Sequence, residues 1–171
     1  MKLEPTFIKD LVVLSPAVFE DERGYFFEAY NKSTLSDIGI QIDFVQDNQS
    51  FSKRGTLRGL HYQNPPYAQT KLVRVLQGEI MDVAVDLRKD SPTYGQHFGV
   101  LLSSENKKQL LVPQGFAHGF AVLSETAVVF YKCDQYYNKQ SEGGIRFNDV
   151  SLSIDWGIDL DSAIVSEKDL I

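Results

Sequence analysis

Apolar and polar positions alternate with period two over much of this chain. In KLVRVLQGEIMDVAVDL (71–87), Val73 and Val75 alternate with neighbours on the other face, and after Gln77-Gly78 the alternation resumes through Met81, Val83, Val85 and Leu87. Two such runs around a Gly-containing pair predict a β-hairpin. In that register Leu76 pairs with Glu79, Val75 with Ile80, Val73 with Asp82 and Lys71 with Ala84. Directly paired residues share a face, so Lys71, Val73, Val75, Ile80, Asp82 and Ala84 lie on one side.

KKQLLVP, GFAHGFAVL and TAVVFYKC read as further strands, bounded by the turn compositions SSEN, PQG and LSE. VFEDERGYFFEAY and FVQDNQSFS read as earlier strands or strand edges. Only NKSTLSDIG predicts a helix, a short one with Asn31 or Ser33 as cap and Gly39 at its end, and the tail AIVSEKDLI has room for one helical turn. Many short strands with close turns and almost no helix predict an all-β sandwich or barrel. Among these the jelly roll encloses a cavity, which makes any polar residue at an inward position informative, because burying it without a partner is costly.

Composition narrows the class. A chain of 171 residues with 43% apolar and 23% charged side chains fits one domain, 1–171, with a sizeable core. The single cysteine, Cys133, has no internal partner, which points to a reducing, cytoplasmic setting. The N-terminus lacks the apolar run of a signal peptide, and no stretch of about 18 apolar residues could span a membrane. A net charge of −6 argues against general nucleic-acid binding and leaves room for a local basic pocket.

Several strands each carry one ionisable group on an apolar face. His118 shares its face with Phe116, Phe120 and Val122, and Tyr131 shares one with Val129 and Cys133. A lone histidine in such a place is more often a hydrogen-bonded core residue, and a buried tyrosine usually packs. Lys71 is less ordinary, since lysine is rarely buried unpaired, with Asp82 as its candidate partner. His97, beside a turn, reads as exposed. There is no His-x-His pair; a metal site from His61, His118 and a carboxylate stays geometrically open.

Seven stretches then occur in order: FEDERGYFFEAY, FVQDNQSFS, TLRGLHYQ, KLVRVLQGEIMDVAVDLR, SPTYG, LLVPQGFAHGFAVL and YKCDQYYNKQSEGGIRFND. Together they resemble the dTDP-4-dehydrorhamnose 3,5-epimerase family, from about Phe7 to Asp169. The resemblance implies a cupin jelly-roll barrel with a few short helices that uses no metal and no other cofactor. It implies epimerisation of dTDP-4-dehydro-6-deoxy-D-glucose at C3 and C5 in dTDP-L-rhamnose synthesis. It also implies a homodimer whose N-terminal segments, about residues 1–50, help to build the neighbouring site, with neither a nucleic-acid nor a membrane partner.

Residue by residue, the family's base matches His61, its general acid Tyr131, the aspartate behind the base Asp169, and the lysine beside the reacting ketone Lys71. The second pocket histidine matches His118, with Asp82 as its carboxylate. Substrate-binding positions match Arg23, Glu28, Gln46, Asp47, Asn48, Arg58, Glu142 and Lys168, and Tyr137 matches the aromatic that stacks on the thymine. VSEKD stands where the family has LSxKD.

These residue types suit the implied chemistry. Inverting a carbon next to a ketone needs a base, a cation for the enolate oxygen, and an acid on the opposite face. Histidine, lysine and a neutral phenol supply them, and a carboxylate behind the histidine sets its tautomer. Arg23, Arg58 and His118 would hold a diphosphate. Within the enzyme class the rivals are a 3- or 5-monoepimerase and a 3,4-ketoisomerase; outside it, a non-catalytic sugar-nucleotide-binding cupin. The presence of both His61 and Tyr131 favours an enzyme.

Overall fold

The computed structural model describes residues 1–170, so Ile171, the last residue of the expected domain and of the expected helical tail, lies outside the described residues. Thirteen short strands carry the fold: β1 (Lys2–Pro5), β2 (Val12–Ser15), β3 (Val18–Asp21), β4 (Gly24–Phe27), β5 (Gln46–Lys53), β6 (Leu57–Gln63), β7 (Lys71–Gln77), β8 (Glu79–Asp86), β9 (His97–Ser103), β10 (Gln109–Val112), β11 (Phe116–Val122), β12 (Thr126–Cys133) and β13 (Glu142–Gly144). They form a six-stranded sheet in the order β1-β2-β10-β7-β12-β5 and a five-stranded sheet in the order β13-β6-β11-β8-β9; β3 and β4 form a separate ribbon. This is the cupin-like jelly roll that the strand pattern and the resemblance predict.

The inner faces of the two sheets close on one core. Val73, Val75, Ile80, Ala84, Phe116, Phe120, Val122 and Val129 pack there, all buried. Complete burial of each larger side chain contributes about 1.5–3 kcal/mol against leaving it in water. A second cluster covers the outer face of the five-stranded sheet, where Leu57, Leu60, Val83 and Ala117 meet Phe147 and Trp156 of the C-terminal segment. That segment is tied down by the Trp156 indole, which donates to the Phe147 carbonyl at 2.8 Å. A third cluster seats the helix α1 (Lys32–Asp37) through Leu35 on Val12, Leu14 and Leu72.

The expected hairpin at Gln77-Gly78 is not one. β7 pairs with β10 and β12, whereas β8 pairs with β11 and β9. Gly78 carries the chain from one sheet to the other at φ +80°, and a Cβ there would lie 2.1 Å from the Thr126 carbonyl oxygen. The shared face survives for a different reason. Val73 and Val75 meet Ile80 and Ala84 across the barrel interior instead of side by side in one ladder.

Other local expectations fare well. Asn31 is the cap of α1, its side chain accepting from the Ser33 and Thr34 amides, and Gly39 follows the helix at φ +87°. The tail forms a 3₁₀ turn at Glu167–Leu170. The strands β1, β2, β6 and β9 are not signalled by clean alternation. His97 is half-buried at the start of β9, opposite Val85, and not exposed as its turn context predicts.

Candidate active site

β6 and β11 set the geometry. His61 on β6 is the direct cross-strand partner of His118 on β11, and beyond an irregularity Arg58 stands opposite Phe120. Two glycines allow the approach: a Cβ on Gly59, at φ +125°, would lie 2.5 Å from the Gly119 Cα and 2.8 Å from the His118 carbonyl oxygen. Across the barrel, β12 and β5 bring Tyr131 opposite Asn48 and Val129 opposite Ser50.

Between these walls lies a cavity of about 260 Å³ lined by Asn48, Arg58, His61, Lys71, His118, Tyr131, Lys168 and Asp169, with Gln49, Ser50, Gly119, Phe120 and Ser166. Eight of the residues singled out from the sequence therefore converge on one space. Among the described residues the buried side-chain polar atoms without a hydrogen-bond partner are Ser50 Oγ, His61 Nε2 and Asp82 Oδ2. The first two belong to lining residues and the third to the carboxylate behind His118, so the unmet polarity of the interior is concentrated here.

Each histidine has its own carboxylate. His61 Nε2 is 2.8 Å from Asp169 Oδ1, an ion-pair distance at which the ring N–H is not aimed for a straight hydrogen bond. Asp169 is held in turn by the Gly59 amide at 3.1 Å on Oδ1, and by the Ser166 amide at 3.1 Å and the Ser166 hydroxyl on Oδ2. His118 Nε2 is 2.8 Å from Asp82 Oδ1, with both side chains buried. Burial pushes the His61 imidazole below its ordinary value, opposed by the Asp169 charge, which favours the neutral ring a base requires.

Lys71 is not the partner of Asp82, which His118 occupies. Among the described residues it makes no hydrogen bond or ion pair; its Nζ lies 5.8 Å from the centroid of the Tyr131 ring. Burial lowers the Lys71 pKa, with the nearby Cys133 and Asp82 opposing that effect. Burial raises that of Tyr131, which keeps the phenol protonated. An ammonium without a counter-ion and a neutral phenol thus face the same space as a carboxylate-backed imidazole. That set can take a proton from one side, supply one from the other, and stabilise a negative oxygen between them.

The remaining predicted residues lie around this centre. Gln46, Tyr137 and Glu142 form a chain from Asn48 to Lys168. Gln46 Nε2 donates to Asn48 Oδ1 at 3.0 Å, and the Tyr137 amide donates to Gln46 Oε1 at 3.0 Å. The Tyr137 hydroxyl donates to Glu142 Oε2 at 2.9 Å, and Lys168 Nζ donates to Glu142 Oε1 at 3.1 Å. Burial alone would raise the Glu142 pKa, yet the hydrogen bonds from Lys168 and Tyr137 leave it below its ordinary value. Asp47 faces outward and pairs with Lys132 at 2.9 Å. Arg23 pairs with Asp21 at 2.6 Å on the β3–β4 ribbon, and Glu28 accepts from Asn31 and Thr34 beside α1; neither lines the cavity.

The sequence reading missed Ser50, Ser52, Ser166 and the Gly59–Gly119 contact. Ser52 Oγ accepts from Arg58 Nε at 3.1 Å, so it helps to aim that guanidinium. For Ser166 a signal existed: Ser-x-x-Asp at 166–169 is a capping pattern. Among the described residues no group of three or more His, Cys, Asp or Glu side chains is placed to hold a metal ion. Among the described residues no helix is long and apolar enough to cross a membrane.

An antiparallel jelly roll with polar side chains gathered in its barrel makes this a cupin-type protein. Residues 5–171 match the family described as dTDP-4-dehydrorhamnose 3,5-epimerase, and the chain belongs to that family. A relative of that name from Salmonella typhimurium is 56% identical over 152 residues, covering 88% of this chain and 83% of its own. The crystal structure of dTDP-4-dehydrorhamnose 3,5-epimerase from Elizabethkingia anophelis superposes with a TM-score of 0.94 at 57% identity, covering 99% of this chain and 93% of that one. The dTDP-6-deoxy-D-glucose-3,5-epimerase of Legionella pneumophila, solved with dTDP-4-keto-L-rhamnose, superposes at 0.93 with 48% identity, covering 98% and 89%.

Proposed function

We propose that this protein epimerises dTDP-4-dehydro-6-deoxy-D-glucose at C3 and C5 to dTDP-4-dehydro-L-rhamnose. The observation that carries the reading is His61, backed by Asp169, lining the same cavity as Tyr131 and the unpaired Lys71. In this reading His61 removes the proton alpha to the C4 ketone. The electron pair moves to the carbonyl oxygen, where Lys71 stabilises the enolate. Tyr131 then delivers a proton to the opposite face, and solvent restores both groups. Asp169 keeps the imidazole oriented and favours the imidazolium that forms. No step calls for a metal or a redox cofactor. Arg58 and Lys168 offer positive charge and His118 a ring nitrogen for the diphosphate, while Asn48, with Gln46, Tyr137 and Glu142 behind it, offers hydrogen bonds and an aromatic face for the nucleoside.

The same reading includes a homodimer with shared sites. Phe19, Tyr25 and Phe26 are 65%, 58% and 71% exposed on a ribbon that belongs to neither main sheet, and β5 is a sheet edge with Phe51 exposed. Arg23 and Glu28 stand outside their own chain's cavity, so a role in substrate binding requires a second copy. A single catalytic domain acting in the cytoplasm is consistent with the buried free Cys133.

The test is NMR of dTDP-4-keto-6-deoxyglucose incubated with the protein in deuterated water. Deuterium at both C3 and C5 with formation of the L-rhamno product is expected. Label at one carbon alone would assign a monoepimerase, and binding without label a non-catalytic cupin.

A further inference from the structure

Asp169 reaches His61 from the far end of the chain, and its aim depends on a local motif. Ser166 immediately precedes the 3₁₀ turn Glu167–Leu170, in which Asp169 is the third residue. The Asp169 side chain turns back to accept from the Ser166 amide at 3.1 Å, which is the return half of a capping box. The hydroxyl that would ordinarily cap the turn donates instead to the same carboxylate oxygen, Oδ2. Oδ1 is left to the Gly59 amide at 3.1 Å and to His61 Nε2 at 2.8 Å. Asp169 is only 5% exposed, so its oxygens have these partners and little water.

We propose that Ser166 is a positioning residue for the base: its hydroxyl orients Asp169 so that Oδ1 faces His61 Nε2 and leaves Nδ1 free to take a proton. The proposal rests on the reading of His61 as the base. Asp169 is held on both oxygens, with the Ser166 hydroxyl as the second donor to Oδ2, and the carboxylate's hold on the imidazole sets both the ring's tautomer and its proton affinity. The charged groups acting on His61 are Asp169 and Lys168 of the turn, Glu142 of β13 and Lys71 of β7, with His118 as its neighbour on β11. Replacing Ser166 by alanine removes none of these charges. A change in the titration of His61 therefore reports on Asp169 itself.

The experiment compares Ser166→Ala and Ser166→Thr with the wild-type protein. Two quantities are read: the acid limb of kcat/KM, and the titration of the His61 ring by ¹⁵N NMR in substrate-free protein. A carboxylate that loses a donor attracts a proton more strongly, so in Ser166→Ala both midpoints should rise by about half a unit. The value of kcat should fall by about tenfold or more, and KM should change little. Ser166→Thr keeps the hydroxyl and should restore both midpoints. The proposal is overturned if Ser166→Ala leaves the His61 titration and the acid limb unchanged, even if its melting temperature drops. Because the NMR titration needs no turnover, it scores the Ser166 coupling even if His61→Ala proves active and the base assignment fails.

Discussion

His61 and His118 are direct cross-strand partners on β6 and β11, yet each is bound to a different carboxylate, Asp169 for the first and Asp82 for the second, both at 2.8 Å. Asp82 comes from within the barrel and is fully buried; Asp169 comes from the C-terminal turn, and its histidine lines the cavity with greater exposure. Both imidazoles line the cavity, and His61 is the more exposed of the two.

His61→Ala should abolish proton exchange while nucleotide binding survives. Loss of a general base costs about 10²–10⁴ in rate or more. Deuterium incorporation into the substrate and dTDP affinity by calorimetry measure the two separately. Near wild-type exchange would remove His61 from the mechanism.

Tyr131→Phe should separate two events that normally coincide. His61 can still remove a proton and return it to the same face, so label should enter the substrate faster than epimer forms. Among the described residues the Tyr131 hydroxyl has no hydrogen-bond partner, and the ring stays packed, so stability should change by less than about 1 kcal/mol. An unchanged ratio of exchange to inversion would assign Tyr131 to packing alone.

The pH profile follows from burial. If His61 acts as the neutral base, burial, which lowers its pKa from the ordinary 6.5, should place the acid midpoint of kcat/KM below 6.5. On the alkaline side Lys71 must keep its proton. It lies below its ordinary 10.5 while Tyr131 lies above its ordinary 10.0, so Lys71 should set the first alkaline loss. An acid midpoint above 6.5 would contradict the burial argument.

Gly59→Ala should disturb both fold and site. A Cβ 2.5 Å from the Gly119 Cα, at φ +125°, forces β6 away from β11 and carries His61 with it. Thermal unfolding should show a loss of at least about 2 kcal/mol, and activity should fall further than stability does. A variant that melts and turns over like the wild type would show that the close approach is dispensable.

Mixing an Arg23→Ala chain with a His61→Ala chain tests the shared site. Each is inactive alone if both residues matter, and a mixed dimer would hold one intact composite site. Activity should reappear on mixing under conditions of subunit exchange, approaching a quarter of wild-type turnover per site when random mixing makes half the dimers mixed. Mixed dimers confirmed by mass spectrometry without activity would refute the arrangement.

Which faces the strands present was legible in the sequence, because side-chain alternation is a property of the local backbone. The inward set Lys71, Val73, Val75, Ile80 and Asp82, the faces of His118 and Tyr131, and the Asn31 cap all follow from neighbours a few residues away. The motifs around His61 and Tyr131 carried the family for the same reason: they are contiguous stretches. Strand pairing is a long-range choice, and there the local signal misled. Gln77-Gly78 has the composition of a hairpin, but Gly78 tolerates φ +80° against the Thr126 carbonyl, and each run finds better partners in a different sheet. The close approach of Gly59 to Gly119 likewise exists only when β6 and β11 lie side by side. Asp169 is the clearest case, since its carboxylate binds an amide 110 residues away in the chain. A motif can suggest that residue, but only the closing of the C-terminal segment over the barrel, driven by burial of Phe147 and Trp156, brings it to His61.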